Sequence, residues 1–250
     1  MGKPVKVTDK NKAWNRTPQG RQVDVRPMRR RFLIVTDGTE TEPVFFEALR
    51  KRATIGVVQV ELCGTGRSTL SLIKVIAGIR ADKESELGIH FDEVWAVFDK
   101  DSFKREDFDN AIHSCEAHGY GAAWSNECFE IWYLLHFNDR QTGIGRDEIF
   151  SKLEEQFGIS NYRDLKGHQG RSIHEMMAGH SNQEQAIKRA KRLYHEMSPT
   201  GRNPIDPPSH QNPCTAIFKL VEKLLVYCPR VADDLTVVVE THRKTYRRER

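Results

Sequence analysis

The stretch Phe91 to Asp101 reads FDEVWAVFDKD. Its centre, Val94–Phe98, is apolar without a break and rich in β-branched and aromatic side chains, as suits a strand buried on both faces of a parallel sheet. It ends on Asp99-Lys100-Asp101, so charge begins where burial stops. Upstream, RFLIVT (Arg31–Thr36) is a similar strand, followed by a turn at Asp37-Gly38-Thr39 and a helix opening at Glu42-Pro43. Phe45, Phe46, Leu49 and Ala53 then recur at helical spacing. VVQVELC (Val57–Cys63), the loop Gly64–Ser68 and an apolar-faced helix over Leu70–Ile79 repeat the unit. Beyond Asp101 the pattern predicts a helix over 107–118, a strand over 120–124 and an apolar helix over 126–137. Strands alternating with helices specify an α/β fold built on a parallel sheet flanked by helices.

From about Arg146 onward the periodicity is mainly helical, in DEIFSKLEEQF, NQEQAIKRAKRLYHEM and PCTAIFKLVEKLL, with LTVVV near Leu235 as one more candidate strand. The expected organisation is a disordered basic arm over 1–31, an α/β core over 32–140 and a helical C-terminal extension over 141–250 that packs on the core. Charge follows the same division. Residues 1–31 carry ten Lys and Arg against two Asp, residues 242–250 five against one Glu, and the body between them 24 basic against 32 acidic side chains. A basic arm with few apolar residues cannot bury enough surface to order itself, and it suits a polyanion such as nucleic acid or simply aids solubility.

The 250 residues, 38% hydrophobic, contain no window near the roughly 18 apolar residues of a membrane span, and the start, MGKPVKVTDKNK, has no apolar stretch to act as a secretory signal. A soluble cytoplasmic protein with no membrane attachment is expected. The five cysteines, 63, 115, 128, 214 and 228, include no close pair, which argues against a disulfide framework or a zinc knuckle and leaves core thiols.

Ligands of open α/β sheets sit beyond the carboxyl ends of the strands, where Asp37, Gly64, Asp99 and Asp101 all fall. Asp99 and Asp101 repel each other unless they bind a divalent metal, raise a pKa or stay solvated, and oxygen-only donors favour Mg2+ or Mn2+. Asp37 and Glu42 add acid at the neighbouring strand end, although an acid at a helix start can simply serve the helix dipole. Together they would suit a one- or two-metal site that activates water at a phosphodiester. In SNECFEIWYLLHF (Ser125–Phe137), Glu130 lies in a helix apolar on nearly every side, where it is costly unless paired or metal-bound, and Ser125 and Asn126 extend its face. His136 reads as a core histidine. Arg67, in the Gly64–Ser68 loop, and Lys166 are candidates to meet phosphate, with an ordinary glycine turn and a surface lysine as the plainer readings.

FLIVTDGTETEPVFFEAL, VWAVFDKD and SNECFEIWYLLHF, in this order and spacing, resemble the RloB-like proteins, with NPCTAIFKLVEKL as a weaker fourth match. The resemblance implies a Toprim-like fold in which an acid after the first strand and paired aspartates after a later one bind magnesium. It also implies a nuclease role in phage defence or abortive infection, often beside an ATPase partner. Asp99 and Asp101 match the paired acids, and Glu42 the second early acid. Asp37 stands where Toprim domains usually have glutamate, and Glu127 where the family usually has proline. The expected function is therefore a Mg2+-dependent nuclease, with Asp37, Asp99 and Asp101 as metal ligands and Glu42 and Glu130 as further acids. The rivals are a non-catalytic module binding nucleic acid and an ATPase, and a haloacid-dehalogenase-like phosphohydrolase with Asp99 as nucleophile.

Overall fold

The structure, a computed structural model, describes residues 30–53, 58–66, 69–168, 173–177, 182–197 and 207–228. Four strands, β1 (Arg30–Thr36), β2 (Val58–Gly64), β3 (Glu93–Asp99) and β4 (Gly121–Asn126), run parallel, and a two-residue β5 (Cys214–Thr215) adds antiparallel to β4. The order across the sheet is β2-β1-β3-β4-β5. Between them lie α1 (Thr41–Arg52), α2 (Thr69–Leu87) and α3 (Arg105–Ala117). After β4 come α4 (Glu130–Phe137), α5 (Arg146–Phe157), α6 (Tyr162–His168), α7 (Gln183–Met197) and α8 (Ile217–Leu225).

Alternation along the central strands builds two cores, one on each face of the sheet. Leu33, Val35, Ala96 and Phe98 face Leu72, Ile76, Phe108 and Ala111 of α2 and α3. Phe32, Ile34, Trp95 and Val97 share the other core with Phe45 and Phe46 of α1, the apolar residues of α4, and residues of α5, α7 and α8. Each such side chain, fully buried, contributes roughly 1.5–3 kcal/mol. Because both faces of β1 and β3 are covered, their apolar runs are continuous, as the sequence predicts. The expected α/β sheet flanked by helices is thus present. Gly121 lies opposite Trp95 in the β3–β4 register, and a Cβ there would collide with the Trp95 ring.

Three local expectations are corrected. The apolar helix begins at Glu130 rather than 126, because Ser125 and Asn126 are still strand, paired with Thr215 and Cys214. For the same reason Cys214 and Thr215 do not open the final helix. They close the outer side of β4, whose buried backbone groups would otherwise go unpaired. Arg30, expected in the basic arm, opens β1 one residue before the strand expected from Arg31, and the Arg31 N–H donates to Asp92 Oδ2 at 2.8 Å. The rest of that arm, and the strand expected near Leu235, lie outside the described residues.

The later helices are joined to α4 and to one another by more than apolar contact. Arg189 of α7 donates from Nη1 to the Leu135 carbonyl of α4 at 2.7 Å, and Lys219 of α8 donates from Nζ to the Tyr194 hydroxyl at 2.6 Å. Among the described residues no helix is long and apolar enough to cross a membrane. Cys115, Cys128 and Cys214 are buried, with burial pushing the Cys115 and Cys214 thiols up to about 12, whereas Cys63 and Cys228 are partly exposed and so are not the core thiols expected.

Candidate active site

Three strand ends meet at one edge of the sheet. Asp37, just past β1, donates its N–H to the Val97 carbonyl at 3.0 Å, which fixes its backbone against β3. Its Oδ1 accepts from the Gly38 N–H at 2.7 Å and its Oδ2 from the Asp99 N–H at 3.2 Å, so the carboxylate bridges two strand ends separated by 62 positions in sequence. Asp99, 7% exposed, accepts at Oδ2 from the Phe129 N–H at 2.9 Å, and Thr69 Oγ1 donates to its carbonyl at 3.3 Å. The chain then turns through Asp101 in the left-handed region, φ 43°, with the Asp101 N–H held by the Glu127 carbonyl at 2.9 Å.

Glu42, in the first turn of α1, is buried against Gly38, where a Cβ would collide with its carboxylate. The absence of a side chain at Gly38 therefore lets a second acid approach the Asp37 turn. Asp37, Glu42, Asp99 and Asp101 line one open cavity of about 600 Å³, together with Glu40 and Gly66. The opposite wall comes from the helical region, with Arg146, Phe150 and Arg163, and Phe103 closes one side.

Arg146, the first residue of α5, pairs with Asp101, Nη1 to Oδ1 at 2.7 Å. Burial opposes its charge, yet Cys128, Asp101 and Asp99 hold its pKa above the ordinary value. Arg163 lies over the Phe150 ring, 5.4 Å from its centroid, and pairs with Asp147. Neither arginine stands out in the sequence as a site residue. The one local cue, for Arg146, is a helix start after Gly143-x-Gly145, and only packing brings that start, and Arg163 of α6, to the strand ends.

The remaining candidates lie elsewhere. Glu130 is fully buried at the start of α4 and is not among the residues lining the cavity. It lies close enough to Tyr133 and Tyr162 to act on both phenols, which burial, and then the Glu130 charge, push well above their usual pKa. Ser125 and Asn126 are also fully buried. The Ser125 hydroxyl is 3.0 Å from that of Thr215, and Asn126 Nδ2 donates to the Ser209 and Pro208 carbonyls at 3.0 and 3.2 Å, so both fasten β4 to the segment before α8. Arg67 lies outside the described residues, and of Lys166 only its place in α6 is described. His136 is a core histidine, 4% exposed, with Nδ1 2.9 Å from the Trp132 carbonyl.

The family model of the RloB-like proteins matches residues 32–224. The chain belongs to the RloB-like family. The matched span holds all five acids and both arginines that line the cavity of this RloB-like chain. No curated protein and no solved structure matches it.

Among the described residues, no three His, Cys, Asp or Glu side chains are gathered closely enough to hold a metal ion. Asp37 and Asp99 accept from backbone N–H groups, and Asp101 pairs with Arg146. The donor chemistry nevertheless fits a hard divalent cation, because the acids offer only oxygen and face one cavity from adjacent strand ends.

Proposed function

We propose that this RloB-like protein is a Mg2+- or Mn2+-dependent nuclease that cleaves nucleic-acid phosphodiesters, acting in phage defence with an ATPase partner. The observation that carries the reading is the meeting of Asp37, Glu42, Asp99 and Asp101, from two chain segments about 60 residues apart, in one cavity at the carboxyl edge of a parallel sheet. The defence setting and the ATPase partner come from the family alone.

Asp37, Asp99 and Asp101 would hold the cation, which when bound supplies an activated water and neutralises charge developing on the phosphate. The chain's own residues do the rest. Asp37 is oriented by the Gly38 and Asp99 N–H groups and Asp99 by the Phe129 N–H, so neither carboxylate has to reorganise far. Glu42, sheltered from water and facing the cavity, takes the proton of the attacking water at its carboxylate. Glu130 is the additional acid of this reading, buried near Tyr133 and Tyr162.

The test is a panel of single- and double-stranded DNA, RNA and tRNA incubated with Mg2+ or Mn2+. Cleavage that a chelator stops, and that Asp99→Asn lowers at least about 100-fold with unchanged circular dichroism, is the expected result. Cleavage indifferent to both would overturn the reading.

The engagement of three of the acids by N–H groups and Arg146 favours one second reading, a non-catalytic module that grips nucleic acid through its basic ends. Salt-sensitive binding that disappears on removing residues 1–29, which leaves β1 whole, without any cleavage, would mark that case.

A further inference from the structure

We propose that Arg146 is a phosphate-contacting residue held in reserve: Asp101 pairs with it, and a divalent cation at the aspartates releases it toward a substrate phosphate. This rests on the nuclease reading above.

The motivating geometry is a conflict at one carboxylate. Asp101 has a guanidinium 2.7 Å from Oδ1, and the same carboxylate belongs to the all-oxygen set that suits a hard cation. A divalent ion there would set at least two positive charges beside a third, and like charges in a half-sheltered cleft repel strongly. The pair is of a kind that can exchange, since its side chains are 31% and 34% exposed rather than sealed in the core. Asp101 does not depend on Arg146 for its place, because the Glu127 carbonyl holds its backbone N–H. Arg146 in turn is anchored at the head of α5, so a released guanidinium stays on the cavity wall. A planar fork with five donors matches a phosphate in two contacts, which a lysine cannot reproduce.

Arg163 is the internal comparison. It lines the same cavity, yet its carboxylate partner is Asp147, outside the acid set.

The experiment has two arms. Calorimetric titration with Mn2+ compares wild type, Arg146→Gln, Arg146→Lys and Arg163→Gln, with thermal melts confirming that each is folded. Removing the competing charge is expected to tighten Mn2+ binding about tenfold in Arg146→Gln, to leave Arg146→Lys near wild type, and to move Arg163→Gln by less than about twofold. Equal or weaker binding in Arg146→Gln than in a metal-binding wild type overturns this proposal alone, and so does equal tightening in Arg163→Gln. Absence of Mn2+ binding in every variant overturns this proposal together with the nuclease reading. The second arm measures anisotropy of a fluorescein-labelled single-stranded DNA. Arg146→Gln is expected to weaken binding about tenfold with Mn2+ and to leave it unchanged in chelator. Equal weakening under both conditions, or no DNA binding by wild type, removes the hand-over.

Discussion

The Phe129 N–H donates to Asp99 Oδ2 at 2.9 Å, so the acid that ends β3 is fastened to the residue that precedes the buried helix α4. Asp99 thus has a structural partner as well as a place in the cavity. Asp99→Asn keeps an oxygen acceptor and should fold normally while losing metal binding. Asp99→Leu leaves a buried N–H unsatisfied, at a cost of about 1–3 kcal/mol. Urea unfolding of the two variants checks this, and equal stability would show that the bond contributes nothing.

Gly38 bears on function through Glu42. Since a Cβ at position 38 meets the Glu42 carboxylate, Gly38→Ala should displace that acid from the Asp37 turn and lower cleavage at least about tenfold while changing stability by less than about 1 kcal/mol. Cleavage rates beside thermal melts read both. An active Gly38→Ala would remove Glu42 from the mechanism.

Asp109 of α3 accepts from the Ser209 N–H at 2.9 Å and from the Ser209 hydroxyl at 2.7 Å, and Asn126 holds the Ser209 and Pro208 carbonyls. Asp109→Ala should therefore cost about 1–3 kcal/mol and speed hydrogen exchange over 208–212 before the rest of the chain. Uniform exchange across the protein would contradict a local fastening.

Burial pushes the His136 imidazole down to about 4, against an ordinary value near 6.5 in the unfolded chain. Between those values the unfolded chain binds a proton that the native one refuses. Stability is full above pH ~6.5 and falls by up to about 1.4 kcal/mol per pH unit as pH drops toward 4. His136→Gln should flatten that slope in urea titrations above pH ~5, where most carboxylates remain charged. An unchanged slope would place the titration elsewhere.

The parallel sheet was legible because VWAVF and FLIV have no polar face, and because helical spacing follows each strand. Four site acids were legible for a related reason: charge directly after a buried strand has few places to go but the carboxyl edge. The segment 125–130 misled, since Asn126 reads as the start of the apolar helix, with Ser125 on its face, when β5 is not in view. A two-residue strand has no period to detect, and its pairing partner lies 90 positions away.

The sequence by itself determined which residues are interior to strands and helices and which acids end them, because these follow from local alternation and from the cost of burying charge. Tertiary structure alone decided that Arg146 stands against Asp101, that Ser125 and Asn126 turn to the segment before α8, and that Glu130 is buried and outside the cavity lining. Such placements arise from contacts between segments far apart in the chain, whose packing no local pattern of residues records.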